Sequence, residues 1–130
     1  MIVVDSNVLA YLYLENAKYG TAARELREAD DDWVAPKLWR SEFRNILTKY
    51  FKHGSLTLSQ GLRLQQDAES YMADGEYEVS SEQVLRLAQE SGCTAYDCEF
   101  VALAKYLNVK LVTTDKELLK AFPRIAVSLI

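Results

Sequence analysis

Met1-Ile2-Val3-Val4-Asp5-Ser6-Asn7-Val8-Leu9 and Leu111-Val112-Thr113-Thr114-Asp115 are the two stretches whose reading decides the fold. In each, a short apolar run rich in β-branched residues stops at an aspartate and gives way to a helical pattern. Runs of that length, apolar on both faces, read as strands buried inside a parallel sheet. In such sheets ligands bind outside the carboxyl ends of the strands, near the point where strand order reverses. If the two strands are neighbours, Asp5 and Asp115 meet at that edge from opposite ends of the chain.

The segments between them alternate in the same way. A helical stretch runs to Tyr13, and a second helix is predicted over Lys18 to Ala29, with Ala22, Ala23 and Leu26 on one side. Trp33-Val34-Ala35 reads as a strand ended by Pro36, which suits the first position of a helix reaching about Lys52 and stopping near Gly54. Thr57-Leu58-Ser59-Gln60 has the capping-box form and opens a helix to about Ala73. Asp74-Gly75 is a turn, Tyr77 to Val79 a strand, and Ser80 with Gln83 caps a helix ending at Gly92. A helix from Thr94 to Leu107, the strand Lys110 to Thr113, a short helix Lys116 to Phe122 and a strand Ile125 to Leu129 complete the chain. Strands separated by helices require crossover connections, which predicts an α/β fold with a central, mostly parallel sheet covered on both faces.

With 130 residues, 49% of them hydrophobic, 5 Gly and 2 Pro, the chain is expected to form one domain over 1–130 rather than a disordered or multidomain protein. Cys93, Cys98 and the single histidine, His53, fit neither a disulfide framework nor a zinc pattern. No stretch approaches the roughly 20 apolar residues that cross a bilayer, and the opening residues lack a secretory leader's features, so a cytoplasmic protein with no membrane partner is expected. The net charge of −4 argues weakly against nucleic acid. Its distribution says otherwise: Lys37, Arg40, Arg44, Lys49 and Lys52 stand against Glu42 alone, and Lys105, Lys110, Lys116, Lys120 and Arg124 make the end basic again. A phosphate-binding surface is compatible with such patches.

Four acids carry the chemistry. Asp5 and Asp115 end strands, where each can simply cap the following helix; Thr114 with Glu117 can also form a capping box there. Asp97 precedes Phe100, Val101 and Ala104 at helical spacing and so points inward with them. A buried, unpaired carboxylate costs several kcal/mol or takes up a proton, unless a backbone donor or a cation compensates it. Thr94-Ala95-Tyr96-Asp97 fits a capping box, which explains the position of Asp97 but not its inward direction. Glu42 borders the stripe of Trp39, Phe43, Ile46, Leu47 and Tyr50, where a snorkelling side chain, a bond to Asn45 or a helix pair with Lys49 are the alternatives. Two carboxylates about 4 Å apart repel by about 4 kcal/mol at an effective dielectric near 20. A tight group of three or four therefore calls for a cation. With oxygen ligands only, Mg²⁺ or Mn²⁺ is favoured over zinc.

At these four acids the sequence resembles the PIN-domain ribonucleases. The opening stretch is similar to their first motif, and Ser41-Glu42-Phe43-Arg44-Asn45-Ile46-Leu47, Ala95-Tyr96-Asp97-Cys98-Glu99-Phe100-Val101-Ala102-Leu103-Ala104 and Leu111 to Asp115 resemble the other three, in order. Size and spacing resemble the VapC-type toxins of toxin–antitoxin pairs. The resemblance implies a three-layer α/β/α fold and a Mg²⁺- or Mn²⁺-dependent endoribonuclease. It maps the metal-binding catalytic acids onto Asp5, Glu42, Asp97 and Asp115, and the supporting polar residues onto Ser6, Asn7 and Thr113. It further implies RNA as substrate, a homodimer, and a small antitoxin as partner. Arg40, Arg44, Lys49 and Lys116, with Lys37 and Lys120, are candidates for an RNA-attracting rim, and Tyr11, Tyr13, Trp39 and Tyr96 for stacking on bases. Phosphatases of the haloacid dehalogenase type require a second Asp where Asn7 stands, and receiver domains require acids that are missing here. The stronger rival is a non-catalytic binding domain whose acids are caps; a PIN nuclease outside any toxin–antitoxin pair is a further alternative.

Overall fold

The computed structural model describes residues 1–130. In chain order the elements are β1 (Ile2–Val4), α1 (Ser6–Tyr13), α2 (Gly20–Ala29), β2 (Trp33–Pro36), α3 (Trp39–Lys52) and α4 (Leu58–Met72). A 3₁₀ turn, Ala73–Gly75, leads into β3 (Glu76–Tyr77), α5 (Ser81–Ser91), α6 (Ala95–Leu107), β4 (Leu111–Thr113), α7 (Lys116–Ala121) and β5 (Ala126–Ser128). The five strands form one sheet in the order β3-β2-β1-β4-β5, and every pairing is parallel. The expected mostly parallel sheet is therefore wholly parallel.

This order reverses once. The chain steps outward from β1 through β2 to β3, then crosses back to β4 and on to β5. Right-handed crossovers place α1–α4 on one face and α5–α7 on the other. Packing follows suit: α1 contacts α2, α3 and α4, α5 contacts α6, and α6 lies across β1, β2 and β4. The core joins sheet residues Val3, Val4, Val34, Leu111 and Val112 to Leu9, Trp39 and Phe43 on one side and Phe100, Val101 and Leu103 on the other. A three-layer α/β/α architecture results. In register, Val3 faces Val34 and Leu111, and Val4 faces Val112. Asp5 and Thr113, one residue further along, therefore emerge side by side between β1 and β4, the two strands at the reversal.

Local chemistry explains the element ends. Thr57 and Gln60 make both bonds of the expected capping box, and Ser80 caps α5 through the Gln83 amide. Gly92 and Asn108 close α5 and α6 in the left-handed conformation. One expectation fails, and one choice between alternatives is decided. Pro36 ends a strand instead of opening a helix, because β2–β3 pairing carries the extended backbone on to Lys37, whose N–H donates to the Tyr77 carbonyl at 3.0 Å. Asp115, not Thr114, caps α7, its carboxylate taking the Glu117 and Leu118 amides.

Gly75 sits where β3 begins, and a Cβ there would lie 2.4 Å from the Trp33 carbonyl oxygen. Backbone cannot yield as a flexible side chain does, so Gly75→Ala is expected to destabilise the protein by about 1–3 kcal/mol. A urea melt checks this; unchanged stability would mean that β2 and the turn part easily.

Candidate active site

Asp5, Ser6, Asn7, Glu42, Asp97 and Asp115 all line one cleft of about 380 Å³ at the carboxyl edge of the sheet. Ser41, Asn45, Ile46 and Lys49 of α3 form one wall, and Tyr96 and Phe100 of α6 contribute to another. Each acid reaches the cleft for a different local reason.

Asp5 is buried and caps α1, its Oδ1 accepting from the amides of Asn7 (2.9 Å) and Val8 (3.3 Å). Its Oδ2 accepts from the hydroxyl of Thr113. That hydroxyl, fully buried, also accepts the Asp115 amide at 3.0 Å. Thr113 thus ties the first acid to the backbone of the last. Asp115 spends its Oδ1 on the two α7 amides, 2.8 and 3.2 Å away. Glu42, half-buried on the first turn of α3, accepts the Ser6 hydroxyl at 2.7 Å. Neither the Asn45 bond nor the Lys49 pair offered by sequence is formed.

Asp97 differs from the rest. Thr94 caps α6 through the Asp97 amide at 3.1 Å, but the reciprocal bond of a capping box is not made. The carboxylate is half-buried, accepts from no backbone amide and makes no hydrogen bond of ordinary length. The nearby Thr94 hydroxyl offsets only part of the rise in its pKa, which comes first from burial and then from the charge of Asp115. Asp5 and Glu42 are also held above the ordinary carboxylate range. Burial is the main cause for both; Asp115 adds to the rise at Asp5, and Asp97 and Asp5 add to it at Glu42. The acids therefore feel one another, and no salt bridge relieves any of the four.

The tight nest expected from sequence is not closed: no three of the acids are grouped as a ready metal shell. Capping is the physical reason, since Asp5 and Asp115 each turn one oxygen to helix amides. The donor set still fits a hard cation. Every donor is oxygen, Asp97 is free of amide bonds, and Mg²⁺ keeps several waters and needs only one or two carboxylates directly.

A family model described as PIN domain matches residues 2–126. The chain belongs to the PIN-domain family. Ribonuclease VapC3 of Pyrobaculum aerophilum is 27% identical over 125 residues, spanning 94% of this chain and 95% of that protein. The crystal structure of PAE2754 from Pyrobaculum aerophilum superposes with a TM-score of 0.75 at 27% identity, covering 98% of this chain and 90% of that one. A toxin–antitoxin complex from Klebsiella pneumoniae shares the fold, with a TM-score of 0.74 at 20% identity over 100% and 98% of the two chains.

This PIN domain distributes the rim candidates unevenly. Lys49 lines the cleft; Arg44 and Lys116 are exposed but do not line it. Arg40 is committed elsewhere: its guanidinium grips both oxygens of Glu76 at 2.6 and 2.7 Å and reaches Glu69 at 2.8 Å. Trp39, buried, donates its indole N–H to the same Glu76. Tyr11 stacks on Tyr19 and Tyr13 packs edge-on against Phe43, so Tyr96 alone of the four aromatics is exposed on the cleft. Sequence reading named Thr113 as a supporting polar residue but not its position between two acids. The parallel register of β1 and β4 would have revealed it.

Thr113→Val keeps the shape but strands the Asp115 amide and removes a donor from Asp5. An unsatisfied buried group costs about 1–3 kcal/mol, so a loss of that size is expected in denaturant melts.

Proposed function

We propose that this PIN domain is a Mg²⁺- or Mn²⁺-dependent endoribonuclease and the toxin of a type II toxin–antitoxin pair. The observation that carries the reading is Asp97: a half-buried carboxylate without an amide partner, facing a cleft shared with three further acids. Helix capping accounts for Asp5 and Asp115 but leaves Asp97 unexplained, which weighs against a binding domain whose acids are merely caps.

Asp5, Glu42, Asp97 and Asp115 would hold the metal, which when bound supplies Lewis acidity toward a phosphoryl oxygen and lowers the pKa of water. The protein's own groups prepare that site. Thr113 and the α1 amides fix the Asp5 carboxylate, Ser6 orients Glu42, and the α7 amides fix Asp115. Preset ligands need no reorganisation as charge develops on phosphorus. Lys49 supplies positive charge beside an otherwise repulsive cleft, and Tyr96 offers a flat face to an unstacked base.

The ribonuclease activity named for the VapC3 relative supports RNA as the substrate. Likeness in fold to a toxin–antitoxin complex supports an antitoxin partner. On this reading the protein works in the cytoplasm as a homodimer. RNA cleavage assayed with Mn²⁺, with EDTA, and with Asp5→Asn tests the core of it. Activity that survives both EDTA and the substitution would end the metal-nuclease reading.

A further inference from the structure

A second cavity, of about 460 Å³, adjoins the acidic cleft on its α7 side. Ser91 at the end of α5 and Gly92, Cys93 and Thr94 of the α5–α6 turn form one wall, and Glu117, Lys120 and Ala121 of α7 another. Asp97 and Asp115 line both cavities, so these two acids form the ridge between them. Each cavity has one lysine among its lining residues, Lys49 on the α3 side and Lys120 on the α7 side. Both lysines are exposed, and neither is ion-paired. Lys120 makes no ion pair with Glu117, three residues earlier on the same helix.

Both volumes fall in the range that holds a ligand the size of one nucleotide. A chain of phosphates passing over the acids needs positive charge beyond them on each side, because carboxylates repel phosphate. We propose that the α7-side cavity is a second nucleotide subsite, with Lys120 as its phosphate contact, so that the RNA crosses the Asp97–Asp115 ridge from Lys49 to Lys120. Tyr96, on the first turn of α6 and 63% exposed, stacks the base on the α3 side. This inference rests on the proposed ribonuclease reading and adds the course of the strand to it.

Fluorescence anisotropy of a labelled single-stranded oligoribonucleotide, titrated in EDTA over a series of salt concentrations, tests the assignment without turnover. Lys120→Ala is expected to lower the slope of log affinity against log salt by about 0.7, the value for one lost single-strand phosphate contact. Lys49→Ala is expected to do the same, and the double variant to show both losses. Tyr96→Ala is expected to weaken binding about tenfold with the slope unchanged. Lys105→Ala, at the far end of α6, serves as the control for a general loss of charge. Wild-type behaviour of Lys120→Ala beside a weakened Lys49→Ala would overturn the second subsite and leave the ribonuclease reading standing. Failure of the wild-type protein to bind the oligomer in EDTA would overturn the second subsite, whereas the ribonuclease reading falls only if cleavage with Mn²⁺ is also absent.

Discussion

Asp97→Asn is expected to cut RNA cleavage by at least about a hundredfold, since even residues that only support metal ligands are worth 10–100-fold. The same change should leave the metal-free protein at least as stable as the wild type. Asparagine removes a charge that burial and Asp115 both oppose, and the carboxylate gives up no amide bond in going. The Thr94 cap is made by the Asp97 backbone and survives the substitution. Thermal melts and cleavage assays on one preparation separate the two effects. Loss of more than about 1 kcal/mol in the metal-free state would instead assign Asp97 to capping. Thr113→Val makes the opposite pattern, in which stability falls first because its hydroxyl serves two buried partners.

Divalent metal should raise the melting temperature, and the rise should grow with pH. Metal that binds the folded state alone stabilises it by about 2.7 kcal/mol at a hundred times its Kd. The pH dependence follows from the direction of the shifts. Asp5, Glu42 and Asp97 have raised pKa values in the fold, chiefly through burial. The folded protein therefore binds protons at these groups more readily than the unfolded chain, whose carboxyls titrate near pH 4. Their contribution to stability is present at low pH and is lost as pH rises through the folded values. Metal competes for the same oxygens and gains as those protons leave. Glu76 works in the other direction. Its pKa is lowered, first by Arg40, so the stability of that pair is kept above the unfolded value and lost as pH falls through the folded one. Metal-free melts should accordingly rise on mild acidification from neutrality and collapse at lower pH, while a Mn²⁺-induced shift shrinks over the same range. A Mn²⁺ effect independent of pH would remove the site acids from metal binding.

Much of the fold was readable residue by residue because its cues are local. Apolar runs such as Ile2–Val4, the Thr57–Gln60 box, and Gly92 at a helix end act within a few positions, and each element formed within a few residues of its expected place. The exception at Pro36 arose from pairing with β3, a partner some forty residues away. At the site, the four acids were legible as apolar runs ending in carboxylates and as acids on or beside inward-facing stripes, and all four line the same cleft. The rim was far less legible. Arg40 and Lys49 look alike in sequence as cations near Glu42, yet one is bound to Glu76 and Glu69 and the other faces the cleft.

By itself, then, the chain's chemistry determined the alternation of strands and helices, the apolar faces and the identity of the acids, since these depend on side-chain type and short-range spacing. Tertiary structure alone decided that β1 and β4 are neighbours, that Thr113 bridges Asp5 and Asp115, and that Asp97 is left without an amide partner. Those outcomes depend on strand order and on which donors a carboxylate finds across the sheet edge, distances that open only once the chain has crossed over itself.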